Sequence, residues 1–200
     1  TQRAVAAIRY EVEAVDAPVG IVAQSELIAN EAPPELSRDP RAAAVLESPL
    51  VMEENSAAQD CAVMIHRTRE SGLRVAAAMR HDVDGPDGPG LELGGSGDVS
   101  RLTVATRLRP GRRLRIVKLL AYGWSASRSR PALHDQVLAA LAAAHATGWD
   151  GLAKEQRAFL DRFWSGADVE IDGDPQVQQA VRFALFHVLQ AGARTERRPI

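Results

Sequence analysis

Between Ala4 and Tyr122 apolar and polar positions alternate, or short apolar runs sit between turn residues, the period-two signature of β-strands. Ile8, Tyr10, Val12 and Ala14 or Val15 alternate with Arg9, Glu11 and Glu13. Asp16, Ala17 and Pro18 then predict a turn, and Val19 to Ile28 a returning strand, so these two segments are expected to form a hairpin. Residues 30–59 contain Pro33, Pro34, Pro40 and Pro49 among scattered acids and read mostly as loop, with room for a helical turn or two at 41–47. Cys61 to Arg67 and Leu73 to His81 predict two further strands joined at Glu70, Ser71 and Gly72. Residues 82–100, rich in Gly, Asp and Pro, read as another loop. Arg101 to Leu108 and Arg112 to Tyr122 predict a second hairpin, turned by Arg109, Pro110 and Gly111, with Pro and Gly at successive central positions. The sum is six antiparallel strands with one polar face.

At Ser125 the period changes to about 3.6. Ser127 or Ser129 can cap a helix with Pro131 in its first turn; Leu133, Val137, Leu141 and Ala144 form its apolar stripe, and Gly148 ends it. Asp150 begins a second helix, with Leu152, Gln156, Phe159, Leu160 and Phe163 on one face, and the two are expected to pair antiparallel. A short strand is expected at Ala167–Ile171. Asp174 and Pro175 then start a third helix that Gly192 can stop. Val177, Val181, Ala184, Leu185, Val188 and Leu189 share one face of it while Phe183 and Phe186 point elsewhere, so it expects protein on nearly all sides. Exposed apolar surface at Val181, Leu185 and Phe186 would favour self-association.

Composition narrows the class without naming a chemistry. Of 200 residues, 46% are hydrophobic and 25% charged, the balance of a folded globular chain and not of a disordered one. Lys and Arg number 24 against 26 Asp and Glu, a net charge of -2, so no basic field draws in nucleic acid or an anionic membrane, and neither partner is expected. No segment approaches the roughly 20 apolar residues of a membrane span. The only lysines are Lys118 and Lys154, with arginine supplying the remaining basic side chains. Cys61 is the single cysteine, which excludes an intrachain disulfide and a multi-cysteine metal site. With strand pattern present almost from Thr1 and a helix running into Glu196–Ile200, the expectation is a cytoplasmic piece of a longer polypeptide.

The reactive residue types form no convincing catalytic set. Glycines from Gly88 to Gly97 lie between strands rather than before a helix, and no Gly-Lys-Ser/Thr follows, so a hairpin loop is expected there and not a phosphate cradle. Asp82, Asp84 and Asp87 resemble the start of a calcium loop that lacks its closing acid. His66, His81, His134, His145 and His187 show no metal-binding spacing. Ser125, Ser127 and Ser129 lack the Gly-x-Ser-x-Gly setting of a nucleophile, and Cys61 in apolar company reads as inert packing. Asp168, Glu170 and Asp172 are the nearest approach to the paired carboxylates of glycoside cleavage, but they alternate along a short segment as a solvated edge would. No catalytic, cofactor or metal residue is assigned.

A resemblance does emerge from the last third. Phe163-Trp164, the run from Ala167 to Pro175, the helix from Gln178 to Gln190 with its Phe183, Phe186 and His187, and the closing Arg197-Arg198-Pro199-Ile200 together resemble glycoside hydrolase family 65, the maltose, trehalose and kojibiose phosphorylases. Leu119 to Ser125 followed by Arg128, Ser129, Arg130 and Pro131 looks like that family's passage from sandwich to linker helices.

The resemblance implies an α+β chain: part of an antiparallel β-sandwich of the galactose-mutarotase-like super-sandwich type (1–124), a helical linker (125–166), and the start of an (α/α)6 barrel (167–200). It implies a parent enzyme in which one glutamic acid protonates the glycosidic oxygen while inorganic phosphate attacks the anomeric carbon; phosphate being already a nucleophile, no second carboxylate is needed to activate water. Phosphate is then a co-substrate and no cofactor is expected. Those catalytic residues would lie beyond Ile200, and Arg197, Arg198, Pro199 and Ile200 would approach a substrate loop. The implied partners are disaccharide and phosphate in the parent, the remainder of the parent chain, and a second copy in a homodimer. A sugar-binding sandwich module and a trehalase-like hydrolase are the alternatives; the chain's nine aromatic residues suit a scaffold better than a lectin face.

Overall fold

The computed structural model describes residues 4–31, 48–58 and 60–192. The helical turns expected at 41–47 and the substrate-loop residues Arg197–Ile200 lie outside these. Eight strands precede two helices: β1 (Val5–Glu13), β2 (Val19–Ile28), β3 (Leu50–Ala58), β4 (Cys61–Thr68), β5 (Arg74–Asp84), β6 (Gly90–Ser96), β7 (Val99–Leu108), β8 (Arg113–Ser125), α1 (Arg130–Ala167) and α2 (Pro175–Gly192). α1 is broken at Gly148, whose φ of 68° and ψ of 171° are not helical. The chain divides beside that break into two compact units, Gln2–Trp149 and Asp150–Ile200.

In the first unit a five-stranded sheet, in the order β1-β8-β5-β4-β3, packs on a three-stranded sheet, β2-β7-β6, and every pairing is antiparallel. Leu114 and Ile116 of β8 meet Leu102, Val104 and Leu108 in a core between the sheets, while Ala62, Met79 and Leu120 form another cluster. The fold is α+β and antiparallel, as expected.

Both predicted hairpins are corrected. β1 pairs with β8 and β2 with β7, so the Asp16–Pro18 turn carries the chain from one sheet to the other. The turn at Arg109–Arg112 forms as read, with Arg112 N donating to Arg109 O at 2.9 Å and Gly111 at φ 74°, but it too connects different sheets. Turn chemistry specifies a local reversal; which strand each arm pairs with depends on core packing distant in sequence.

Two strands replace expected loops. β3 carries only Leu50, Val51 and Met52 as a hydrophobic run before Glu53, Glu54, Asn55 and Ser56, and β6 is glycine or polar at every position but Leu91 and Leu93; both are edge strands, where burial does not demand alternation. The expected polar face is also corrected for the larger sheet. Gly123 of β8 faces α1, and a Cβ placed on it would lie 3.0 Å from Val137 and 3.2 Å from Leu133. With the other sheet on one side and this helix on the other, Ala62 to His66 of β4 are buried without interruption.

The helix stripe stands as read: Leu133, Val137, Leu141 and Ala144 are the buried residues of α1. Ser129 Oγ accepts from Ala132 N at 3.4 Å, and Ser125 Oγ accepts from the amides of Ser127 and Arg128. In the second unit, Asp174 Oδ1 accepts from Gln176 N at 2.9 Å and Val177 N at 3.2 Å, capping α2. The strand expected at Ala167–Ile171 is absent: Ala167 closes α1, and Asp168–Ile171 follow without regular structure. A glutamine side chain serves in place of a partner strand, Gln178 Nε2 donating to Val169 O and Oε1 accepting from Ile171 N at 2.7 Å. On α2, Val181, Leu185 and Phe186 are half-buried, and the exposed apolar residues are instead Val177, Phe183 and Val188.

Candidate functional site

Among the described residues of the first unit, three polar clusters and a groove between β1 and β2 are candidate places for chemistry. The first cluster rests on a bulge. Met52 pairs with His66 and Glu54 with Ile65, leaving Glu53 as the extra residue of β3. Glu53 receives Arg74 Nε at 2.7 Å and Arg67 Nε at 3.3 Å, while its carbonyl accepts from Arg130 at the start of α1 at 3.0 Å. Glu54 lies 3.6 Å from Arg130 and 3.5 Å from His134. The hydrogen bond from Arg74, aided by the charges of Arg74, Arg67 and Arg130, holds the Glu53 carboxyl below its ordinary range. This is a clamp between sheet and helix.

The second cluster joins β3 and β4 to the tight turn between β6 and β7. Asp98 takes His66 Nε2 at 2.9 Å and Asn30 Nδ2 at 2.8 Å, and these bonds lower its pKa. Asn30 also exchanges two hydrogen bonds with the backbone of Leu50. Asn55 donates to the carbonyls of Gly97 and Val99 and accepts from Ser100 Oγ.

The third cluster bridges the sheets on the opposite side. His81 Nε2 lies 2.7 Å from Ser25 Oγ, and burial, reinforced by the charge of Lys118, pushes its pKa down to about 4. The imidazole is neutral at pH 7. Lys118 Nζ donates to Glu26 O at 2.5 Å. The serine–histidine contact has the geometry of a nucleophile and its base, but an imidazole this reluctant to take a proton is a poor base. Beside it a groove of about 450 Å³ runs between β1 and β2, lined by Ile8, Tyr10, Val22, Gln24 and Lys118 among others.

In the second unit Asp168 is gripped by Arg182 at 2.8 and 2.5 Å, and its pKa falls for that reason. Asp168 is thus the capped partner of a cation rather than half of a carboxylate pair. The Cys61 thiol is pushed up by burial, which keeps it protonated and unreactive. Among the described residues, no group of three or more His, Cys, Asp or Glu side chains is placed to hold a metal. No described helix is long and apolar enough to cross a membrane. Asp82 pairs with His145 at 3.0 Å and Asp84 with Arg115 at 3.0 Å.

Sequence reasoning missed the Glu53 bulge and the Asn55 bridge. A Glu-Glu-Asn-Ser run after three apolar residues carries no periodic signal, and only its partners, 14 to 77 positions away, give it meaning.

Residues 1–163 match the N-terminal domain of glycosyl hydrolase family 65. The chain belongs to that family. Over 198 residues it is 54% identical to uncharacterized glycosyl hydrolases of Mycobacterium leprae and Mycobacterium tuberculosis, covering 99% of this chain and 25% of theirs. A 46-residue stretch is 48% identical to an α,α-trehalose phosphorylase of Geobacillus stearothermophilus, covering 23% of this chain and 6% of that protein. A solved structure described as a kojibiose phosphorylase from the human microbiome superposes with a TM-score of 0.80 at 16% identity, over 96% of this chain and 24% of that one, which establishes a shared fold. The family 65 chain described here therefore spans about a quarter of the length of the curated relatives it matches.

Proposed function

We propose that this chain is the non-catalytic sandwich and linker portion of a family 65 enzyme that cleaves an α-glucosidic disaccharide with inorganic phosphate, yielding glucose 1-phosphate and a free sugar. In that reading residues 1–124 belong to the sandwich domain, 125–166 link it onward, and 167–200 open the catalytic barrel. A homodimer and a cytoplasmic setting, where phosphate is plentiful, belong to the same reading. The observation that carries it is the state of the carboxylates. Glu53, Asp98 and Asp168 are each held below the ordinary range by a hydrogen-bonding partner, and a glycosidic general acid needs the opposite shift. The carboxylates of this chain with resolved shifts serve its architecture.

The mechanism in the intact parent follows from the substrate. An acid elsewhere in the parent protonates the bridging oxygen; phosphate attacks the anomeric carbon from the opposite face; the C–O bond breaks and configuration inverts. The role of this chain is to fold, carry α1 and α2 forward, and present a surface on which the rest of the polypeptide packs. The 54% identical relatives are called glycosyl hydrolases, which favours water as a second candidate nucleophile.

The test incubates the 200-residue chain and the intact parent with trehalose, kojibiose and maltose, with and without phosphate. The chain alone is expected to release nothing, and the parent to release β-glucose 1-phosphate only when phosphate is present. Turnover by the chain alone overturns the non-catalytic assignment. Phosphate-independent glucose release by the parent overturns phosphorolysis in favour of hydrolysis.

A further inference from the structure

The two sheets are unequal, and the mismatch falls on one side. Register places Ile8 and Tyr10 of β1 opposite Lys118 and Ile116 of β8, on the face that Leu114, Ile116 and Leu120 turn toward the smaller sheet. Ile8 and Tyr10 nevertheless remain 54% and 52% exposed, because the smaller sheet ends at β2 and leaves the inner face of β1 uncovered. The groove between β1 and β2 is this uncovered strip. Inner-face apolar side chains in a sandwich normally meet an opposing sheet.

The free edge of β2 supplies the second half of the argument. Ala29 N donates to Asp98 O, which fixes the odd residues of β2 as those that exchange hydrogen bonds with β7. The backbone groups of Gly20, Val22, Gln24, Glu26 and Ile28 then point away from β7, along an edge that no described strand occupies. One of these groups is already taken: Glu26 O accepts from Lys118 Nζ. A lysine reaching an edge carbonyl blocks further pairing at that point.

We propose that a strand from the parent polypeptide outside these 200 residues adds to β2 along Gly20–Gln24, its inward side chains covering Ile8 and Tyr10, and stops short of Glu26 because Lys118 occupies that acceptor. The inference rests on family membership and the quarter-length span, not on phosphorolysis. The remaining three quarters of the polypeptide can supply such a strand, and its addition closes an edge and an apolar strip together. β1 does not offer an equivalent site: Arg9, Glu11 and Glu13 line its outward face, and Arg9 lies over the Trp149 ring at 5.0 Å.

Residue-resolved hydrogen exchange on the intact parent and on the 200-residue chain tests this. The amides of Val22 and Gln24 are expected to exchange at least 100-fold more slowly in the parent, while the Glu26 and Ile28 amides change little. A second measurement uses Val22→Pro, which deletes a donor facing away from β7. It is expected to leave the melting temperature of the 200-residue chain unchanged and to lower that of the parent. Equal exchange at Val22 and Gln24 in both proteins overturns the proposal. So does protection in the chain alone that rises with concentration, which would assign the edge to a second copy. Neither readout involves sugar or phosphate, so failure here is separable from failure of the proposed activity.

Discussion

Asn55 Oδ1 accepts a hydrogen bond from Ser100 Oγ at 2.8 Å, joining the edge strand β3 of one sheet to the central strand β7 of the other. Ser100 is fully buried, and the same Asn55 amide donates to the carbonyls of Gly97 and Val99. The side chain fits because Gly95 has none: a Cβ there would stand 2.4 Å from Asn55 Oδ1 and 3.1 Å from Ser100 Oγ.

Gly95→Ala is therefore expected to displace the Asn55 amide and leave Ser100 without its acceptor, at a cost of about 1–3 kcal/mol. Gly94→Ala, one residue away, meets nothing within 4 Å and is expected to be neutral or slightly stabilising. Urea midpoints of the two variants check this; equal effects would show that the Asn55 bridge does not constrain the site.

Stability should depend on the protonation of His81. Its pKa is about 4 in the folded chain and near 6.5 when unfolded. Between those values the unfolded state holds more protons, so stability is complete above pH 6.5 and declines as pH is lowered toward 4. His81→Gln retains a donor for Ser25 and should flatten the urea midpoint against pH in that window. A profile unchanged by the substitution would locate the pH dependence in other groups.

The Glu53 clamp predicts an effect on helix α1 from a change in β3. Glu53→Gln should weaken the contacts to Arg74 and Arg67, lower the melting temperature, and loosen the first turn of α1 by removing the charge that attracts Arg130, whose bond to the Glu53 backbone carbonyl is retained. Because the Glu53 pKa is lowered when folded, the stabilisation lost in the variant should be present at neutral pH and vanish as pH falls through the folded pKa. Hydrogen exchange of the amides at 132–135, faster in the variant at pH 7, is the measurement.

Leu133 is fully buried beneath α1 against Gly123. Leu133→Ala is expected to destabilise the first unit by about 2–5 kcal/mol. Gly123→Val should act in the same direction by overpacking, since the added Cβ already stands 3.0 Å from Val137. The double variant, with volume moved from helix to sheet, should recover part of the loss in thermal denaturation; strict additivity would argue that the two positions do not share one packed space.

The sequence by itself determined the elements whose signal is local. Alternation or short apolar runs marked β1, β2, β4, β5, β7 and β8 as strands, the Leu133–Ala144 stripe gave the buried face of α1, Asp174 gave the cap of α2, and the residues from Phe163 to Gln190 suggested the family whose N-terminal domain residues 1–163 match. Tertiary structure decided what those elements meet. Pairing of β1 with β8 across more than 100 residues, the recruitment of Glu53–Ala58 and Gly90–Ser96 as edge strands, and the partners of Glu53, Asn55 and His81 all depend on contacts between distant segments. The physical reason is that periodicity records which side of an element is buried, whereas the identity of the burying surface is a property of the assembled core. Edge strands, paired on one side only, leave too little burial in their own residues to be read before the neighbour is known.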